Sequence, residues 1–131
     1  MIVDTSAIIA VLKNEREAQR FSEAMQQDPD CRISAATYLE AAIVIDGVRN
    51  PILSRHLDEL IFHAEVVIAP VTETQAKIAR EAYRDFGKRS GHPAQLNFGD
   101  CFAYALARDT GQPLLFKGDD FSKTGVRSAL D

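Results

Sequence analysis

The chain has 131 residues, enough to enclose one hydrophobic core and too few to divide into two, so a single domain over residues 1–131 is expected. Its 46% hydrophobic and 26% charged residues lie near globular averages, which argues against a disordered or low-complexity chain. A formal net charge of −4 gives no global basic footprint for nucleic acid, although acids gathered in a pocket would lower the sum while attracting a phosphate-screening divalent cation.

In chain order, Ile2 and Val3 form a short apolar strand, and Asp4-Thr5-Ser6 turns into a helix carrying Ala7, Ile8, Ile9, Val11 and Leu12. A second helix is expected after Asn14, with Glu17 completing a capping-box-like contact and Phe21, Ala24 and Met25 facing inward, until Asp28-Pro29-Asp30 stops it. Cys31 to Ser34 reads as a second strand, and Ser34 is placed to cap a helix bearing Thr37, Tyr38, Leu39, Glu40, Ile43 and Val44. Asn50-Pro51 opens a further helix with Leu53, Leu57, Leu60 and Ile61 inward, and Glu65 to Ala69 reads as the third strand.

Thr72 with Gln75 signals a capped helix ending near Tyr83 to Gly87, where the glycine is expected to close it in the left-handed conformation. A polar, partly basic loop follows over Lys88 to Pro93. A helix then starts at or just after Asn97 and runs through Phe102, Leu106 and Ala107. Gln112-Pro113 leads into a fourth strand, Leu114 to Phe116, and the tail from Lys117 reads as loop.

Short apolar strands alternating with helices imply an α/β domain with a mainly parallel central sheet of about four strands flanked by helices. Ligand sites in such sheets lie beyond the carboxyl ends of the strands. Asp4 and the pair Asp119-Asp120 follow strands and therefore fall at that edge, and Asp100 opens an apolar helix. Each has an ordinary alternative: a helix cap for Asp4, a charge favourable to the helix N-terminus for Asp100, a solvated turn for Asp119 and Asp120. Glu40 is the single charged residue between Ala35 and Ile45. It either reaches solvent at the helix margin or needs a partner for its charge.

Converging carboxylates repel one another, and a hard divalent cation, Mg²⁺ or Mn²⁺, is the usual resolution. With no obvious protein nucleophile, such a site suits phosphodiester hydrolysis, in which metal acidifies water and neutralises phosphate charge. Ser6 either holds a ligand or water in place or serves as a helix cap. His56, His63 and His92 lack zinc-site spacing, and Cys31 and Cys101 fit neither a disulfide scaffold nor a metal motif. No basic leader with a cleavable apolar run and no membrane-length apolar stretch is present, so a cytoplasmic location is expected.

Four segments resemble the ordered motifs of VapC-type PIN domains: Met1-Ile2-Val3-Asp4-Thr5-Ser6-Ala7, Tyr38-Leu39-Glu40, Leu96 to Ala107 with Asn97-Phe98-Gly99-Asp100, and Pro113 to Phe121 with Asp119-Asp120. The resemblance spans essentially the whole chain. It implies a PIN-like fold and a Mg²⁺-dependent endoribonuclease toxin acting on tRNA or rRNA. Asp4 and Asp100 would hold the metal, and Glu40 and Asp120, the acid directly before Phe121, would complete the pocket beside Asp119. Water attack assisted by a carboxylate such as Glu40 is the implied chemistry.

The resemblance also implies a VapB-like antitoxin covering the site, a homodimer and a toxin–antitoxin hetero-oligomer. Ile9, Leu12 and Val44 are candidates for the antitoxin groove, with core packing as their alternative role. Lys88, Arg89, Lys117 and Lys123 are the candidate RNA phosphate contacts. Two other functions compete: a Mg²⁺-dependent small-molecule phosphatase, disfavoured by the absence of an Asp-x-Asp opening, and a catalytically inactive PIN-like binding module, disfavoured because all four acids are present.

Overall fold

The computed structural model describes residues 1–130. Its elements are β1 (Ile2–Val3), α1 (Thr5–Leu12), α2 (Ala18–Gln27), β2 (Arg32–Ser34), α3 (Ala35–Gly47), α4 (Pro51–His63), β3 (Val67–Ala69), α5 (Glu73–Phe86), α6 (Phe98–Thr110) and β4 (Leu114–Leu115). A short 3₁₀ turn covers Phe121–Lys123.

The four strands form one parallel sheet in the order β3-β2-β1-β4, as the α/β reading predicts. From β1 the chain winds outward through β2 to β3 and then returns to the other side of β1 as β4. The winding direction therefore reverses between β1 and β4, the place where α/β sheets open a crevice at their carboxyl edge. Val3 pairs with Leu115, and the Asp4 amide donates to the Leu115 carbonyl at 3.0 Å, so Asp4 stands in that crevice.

Strand alternation divides the interior in two. Val3, Ile33 and Leu115 point into a core shared with Ile8, Phe21, Met25, Ile45 and Leu57. Ile2 and Leu114 point to the other face, against Leu96, Tyr104, Leu106 and Phe121. Among the described residues no helix is long and apolar enough to cross a membrane.

Side-chain caps form where the sequence indicates them. Ser34 accepts from the Ala36 amide, Asn50 from Ile52 and Thr72 from Gln75. Pro51 sits at the start of α4. The Thr72 motif is only half a box, because the Gln75 side chain bonds Asp109 instead.

Other boundaries differ from expectation. No cap joins Asn14 and Glu17: Asn14 is left-handed at φ 52°, α2 begins only at Ala18, and the Glu17 carboxylate turns to Lys117. Gly87 closes α5 with φ −73° rather than in the left-handed region. Its glycine is required by crowding, since a β-carbon there would collide with the Tyr83 carbonyl and lie 2.9 Å from its ring. The third strand starts at Val67 because Glu65 is left-handed at φ 52° and still bonds back to Phe62. Beyond the 3₁₀ turn, the tail returns to the sheet: Leu114 bridges Ser128, with amide bonds from Leu114 to Arg127 and from Ala129 to Leu114.

Candidate active site

Asp4 leaves β1 in extended backbone and caps α1. One carboxylate oxygen, Oδ2, accepts from the Ser6 amide at 3.0 Å and the Ser6 hydroxyl at 2.7 Å. The other, Oδ1, is buried and has no hydrogen-bond partner. The Ser6 oxygen in turn accepts from the Lys117 amide at 2.9 Å, tying the exit of β4 to the start of α1. Ser6 thus shapes the site by fixing Asp4.

Burial pushes the Asp4 carboxyl up to about 7; its bonds from Ser6 oppose that shift, and the charges of Asp100 and Glu40 add to it. Asp100 is also raised, first by burial and then by the charges of Asp120 and Glu40, against the Asn97 backbone bond and the Lys88 charge. These influences bring four sequence-predicted acids, Asp4, Glu40, Asp100 and Asp120, into one electrostatic neighbourhood. Asp120 precedes the 3₁₀ turn, makes no side-chain capping bond and is exposed. Asp119 is exposed too, and its carbonyl accepts from the Ser122 amide and hydroxyl.

Asp100 is held by a reciprocal capping box. Its Oδ2 accepts from the Asn97 amide at 2.9 Å, while Asn97 Oδ1 accepts from the Asp100 amide at 2.8 Å. Glu40, from α3, accepts from the Thr5 hydroxyl, which also lies 3.5 Å from the Thr37 carbonyl. The hydroxyl oxygen of Thr37 is itself buried without a partner, one turn before Glu40. Sequence reading did not single out Thr5, Thr37 or Asn97 as functional residues. The capping spacing identifies Asn97, but only the packing of α1 against α3 brings Thr5 to Glu40.

The donors suit a hard cation: they are oxygens, they repel one another, and one of them is buried with nothing to bond. As the side chains stand, no three His, Cys, Asp or Glu among the described residues close around a single point. Asp4 is buried and Glu40 and Asp100 are partly buried, whereas Asp120 is exposed.

The candidate RNA contacts are unequal. Lys88 and Arg89 are exposed in the loop before α6, and the Lys88 charge is felt at Asp100. Lys123 reaches the Pro93 carbonyl at 3.5 Å. The Lys117 ammonium is held by Glu15 at 3.0 Å and Glu17 at 3.2 Å, which offsets its charge. Of the apolar candidates for a partner groove, Ile9 and Leu12 pack against the core, whereas Val44 is exposed with Leu39 and Ile43 along α3 and Val48 just beyond its end.

Comparison with known proteins gives a consistent picture. The family described as PIN domain matches residues 1–126. The chain is 60% identical over 131 residues to ribonuclease VapC28 of Mycobacterium tuberculosis, covering 100% of this chain and 98% of that protein. Among solved structures, Mycobacterium tuberculosis VapC20, described as a sarcin-ricin loop cleaving toxin, superposes with a TM-score of 0.74 at 17% identity, covering 95% of each chain. A toxin–antitoxin complex from Klebsiella pneumoniae superposes with a TM-score of 0.69 at 18% identity, covering 92% of this chain and 89% of the other.

Proposed function

This chain belongs to the PIN-domain family, among the VapC-type ribonuclease toxins, and on that premise we propose that it is a Mg²⁺-dependent endoribonuclease hydrolysing tRNA or rRNA in the cytoplasm. The observation that carries the metal-site reading is the buried, unpartnered Oδ1 of Asp4 beside the charges of Asp100 and Glu40. A buried carboxylate oxygen without a donor is costly unless something cationic meets it.

Asp4 and Asp100 would hold the ion, with Glu40 and Asp120 completing the set and Mn²⁺ as an alternative ion. When bound, the metal supplies an acidified water and neutralises charge on the phosphate. The protein's own groups do the rest. Ser6 keeps Asp4 Oδ2 engaged and so leaves Oδ1 for the ion. Asn97 holds Asp100 at the head of α6. Thr5 fixes one Glu40 oxygen, leaving Oε2 to take the proton from the attacking water. Lys88, Arg89 and Lys123 meet the phosphates of the RNA strand.

The toxin role calls for a VapB-like antitoxin that covers the acidic pocket, and the family points to a homodimer within a toxin–antitoxin hetero-oligomer. Exposed Val44, with its α3 neighbours Leu39 and Ile43, offers apolar area for a partner.

The test is to incubate purified, antitoxin-free protein with total tRNA and rRNA. Discrete cuts in Mg²⁺ that disappear in EDTA support the reading. Intact RNA with folded protein contradicts it and favours a binding module, and hydrolysis of a small phosphate ester alone favours a phosphatase.

A further inference from the structure

Gly99 is the second residue of α6 and has helical backbone with no left-handed φ, so its conformation does not call for glycine. Alanine is the better helix former at such a position. The surrounding space gives the reason. A β-carbon at Gly99 would overlap Glu40 Oε2 and lie 2.6 Å from its Cδ and 2.9 Å from Oε1. Gly91, Gly111, Gly118 and Gly125 have left-handed φ, Gly47 has open space around it, and Gly87 is crowded by Tyr83. Gly99 alone among the glycines meets a carboxylate.

We propose that Gly99 is a positioning residue of the acidic site, its absent β-carbon forming the berth in which the Glu40 carboxylate lies. Thr5 holds Glu40 Oε1 from α1, and the bare backbone at Gly99, directly before Asp100, admits Oε2. The packing of α3 on α6 brings Glu40 there. Because the carboxylate ends a flexible side chain, a methyl at position 99 would swing it out of the berth rather than unfold the helix. Glycine therefore serves the site at the expense of helix propensity. This inference rests on the acidic pocket being a divalent-cation site.

The experiment is a double-mutant cycle on the antitoxin-free protein, with Gly99→Ala, Glu40→Gln and the double variant. Mn²⁺ affinity is measured by titration calorimetry, and thermal unfolding is followed in EDTA. The expected result is that Gly99→Ala melts at or above the wild-type temperature, yet binds Mn²⁺ about tenfold or more weakly, as losses around metal ligands usually do. The double variant should be no weaker than Glu40→Gln alone. Thr5→Val, which removes the other support of Glu40 and adds nothing at α6, should show the same kind of loss.

Wild-type Mn²⁺ affinity in both Gly99→Ala and Thr5→Val overturns the proposal and leaves the metal site standing. Strictly additive losses in the cycle, or weakening that tracks a lowered melting temperature, also overturn it by assigning Gly99 a purely structural role. A wild-type protein that binds no Mn²⁺ fails the metal-site reading itself, and the inference with it.

Discussion

Asp4 uses its two oxygens for different ends. Oδ2 caps α1 through Ser6, and Oδ1 is buried unpartnered. The sequence posed cap and ligand as alternatives for Asp4; for Asp100 the ordinary alternative was a charge favourable to the helix N-terminus, and its Oδ2 in fact closes a capping box beside the charges of Glu40 and Asp120. A carboxylate has enough lone pairs for both roles, but which oxygen faces which partner depends on a rotamer that residue order does not encode.

The raised pKa of Asp4 has a stability consequence. A carboxyl that titrates near 7 when folded and 3.8 when unfolded binds a proton in the native state alone between those values. Its favourable contribution is therefore full below pH 3.8, declines through that window and is gone above about 7. In metal-free protein, Asp4→Asn should melt higher than wild type at pH 8, by an amount bounded at about 4 kcal/mol, with the gap narrowing toward pH 4. Added Mg²⁺ should stabilise the wild type and leave the variant unmoved. Thermal unfolding across pH, with and without Mg²⁺, checks this; a variant less stable than wild type at both ends of the range would contradict it.

Among the elements, α6 matters most to the site, because its first turn presents both Gly99 and Asp100. Losing an Asn cap typically costs about 1 kcal/mol, within a range of roughly 0.5–2 kcal/mol. Asn97→Ala should therefore lower the melting temperature by a few degrees and slow RNA cleavage, while Asn97→Ser, which keeps an acceptor, should recover most of both. Unchanged melting in Asn97→Ala would argue that the box does not hold the turn. The caps at Ser34, Asn50 and Thr72 were legible because each depends on a side chain and an amide two or three residues away, whereas at Asn97 only the start of a helix was read. The expectations at Glu17 and Gly87 failed for a related reason. Lys117, distant in sequence, draws off the Glu17 carboxylate, and the Tyr83 carbonyl and ring rather than a left-handed φ account for glycine at 87.

At the scale of the whole molecule, parallel strands alone place Asp4 and Asp120 at one edge, so that much of the site follows from the chain pattern. The order β3-β2-β1-β4, which sets Asp4 at the reversal of winding, depends on long-range pairing and could not be read from the sequence. The same holds for the approach of Thr5, Glu40 and Gly99, contributed by three different helices. Charge shows the divide as well. A net charge of −4 argues against RNA, yet the exposed Lys88 and Arg89 stand before the helix that carries Asp100, where the charges of Glu40 and Asp120 are also felt. Placement of charge, more than its sum, decides what an acidic protein can bind.

The central claim is that these acids hold the ion through which RNA is cleaved. Its most direct test is the single-turnover rate of RNA cleavage against Mg²⁺ concentration for wild type and Asp100→Asn side by side. The account predicts a rate that saturates with Mg²⁺ in the wild type and falls about a hundredfold or more in the variant, a loss typical of removing a principal charge-stabilising group. Equal saturating rates in the two proteins, or wild-type cleavage that persists unchanged without divalent metal, would contradict it.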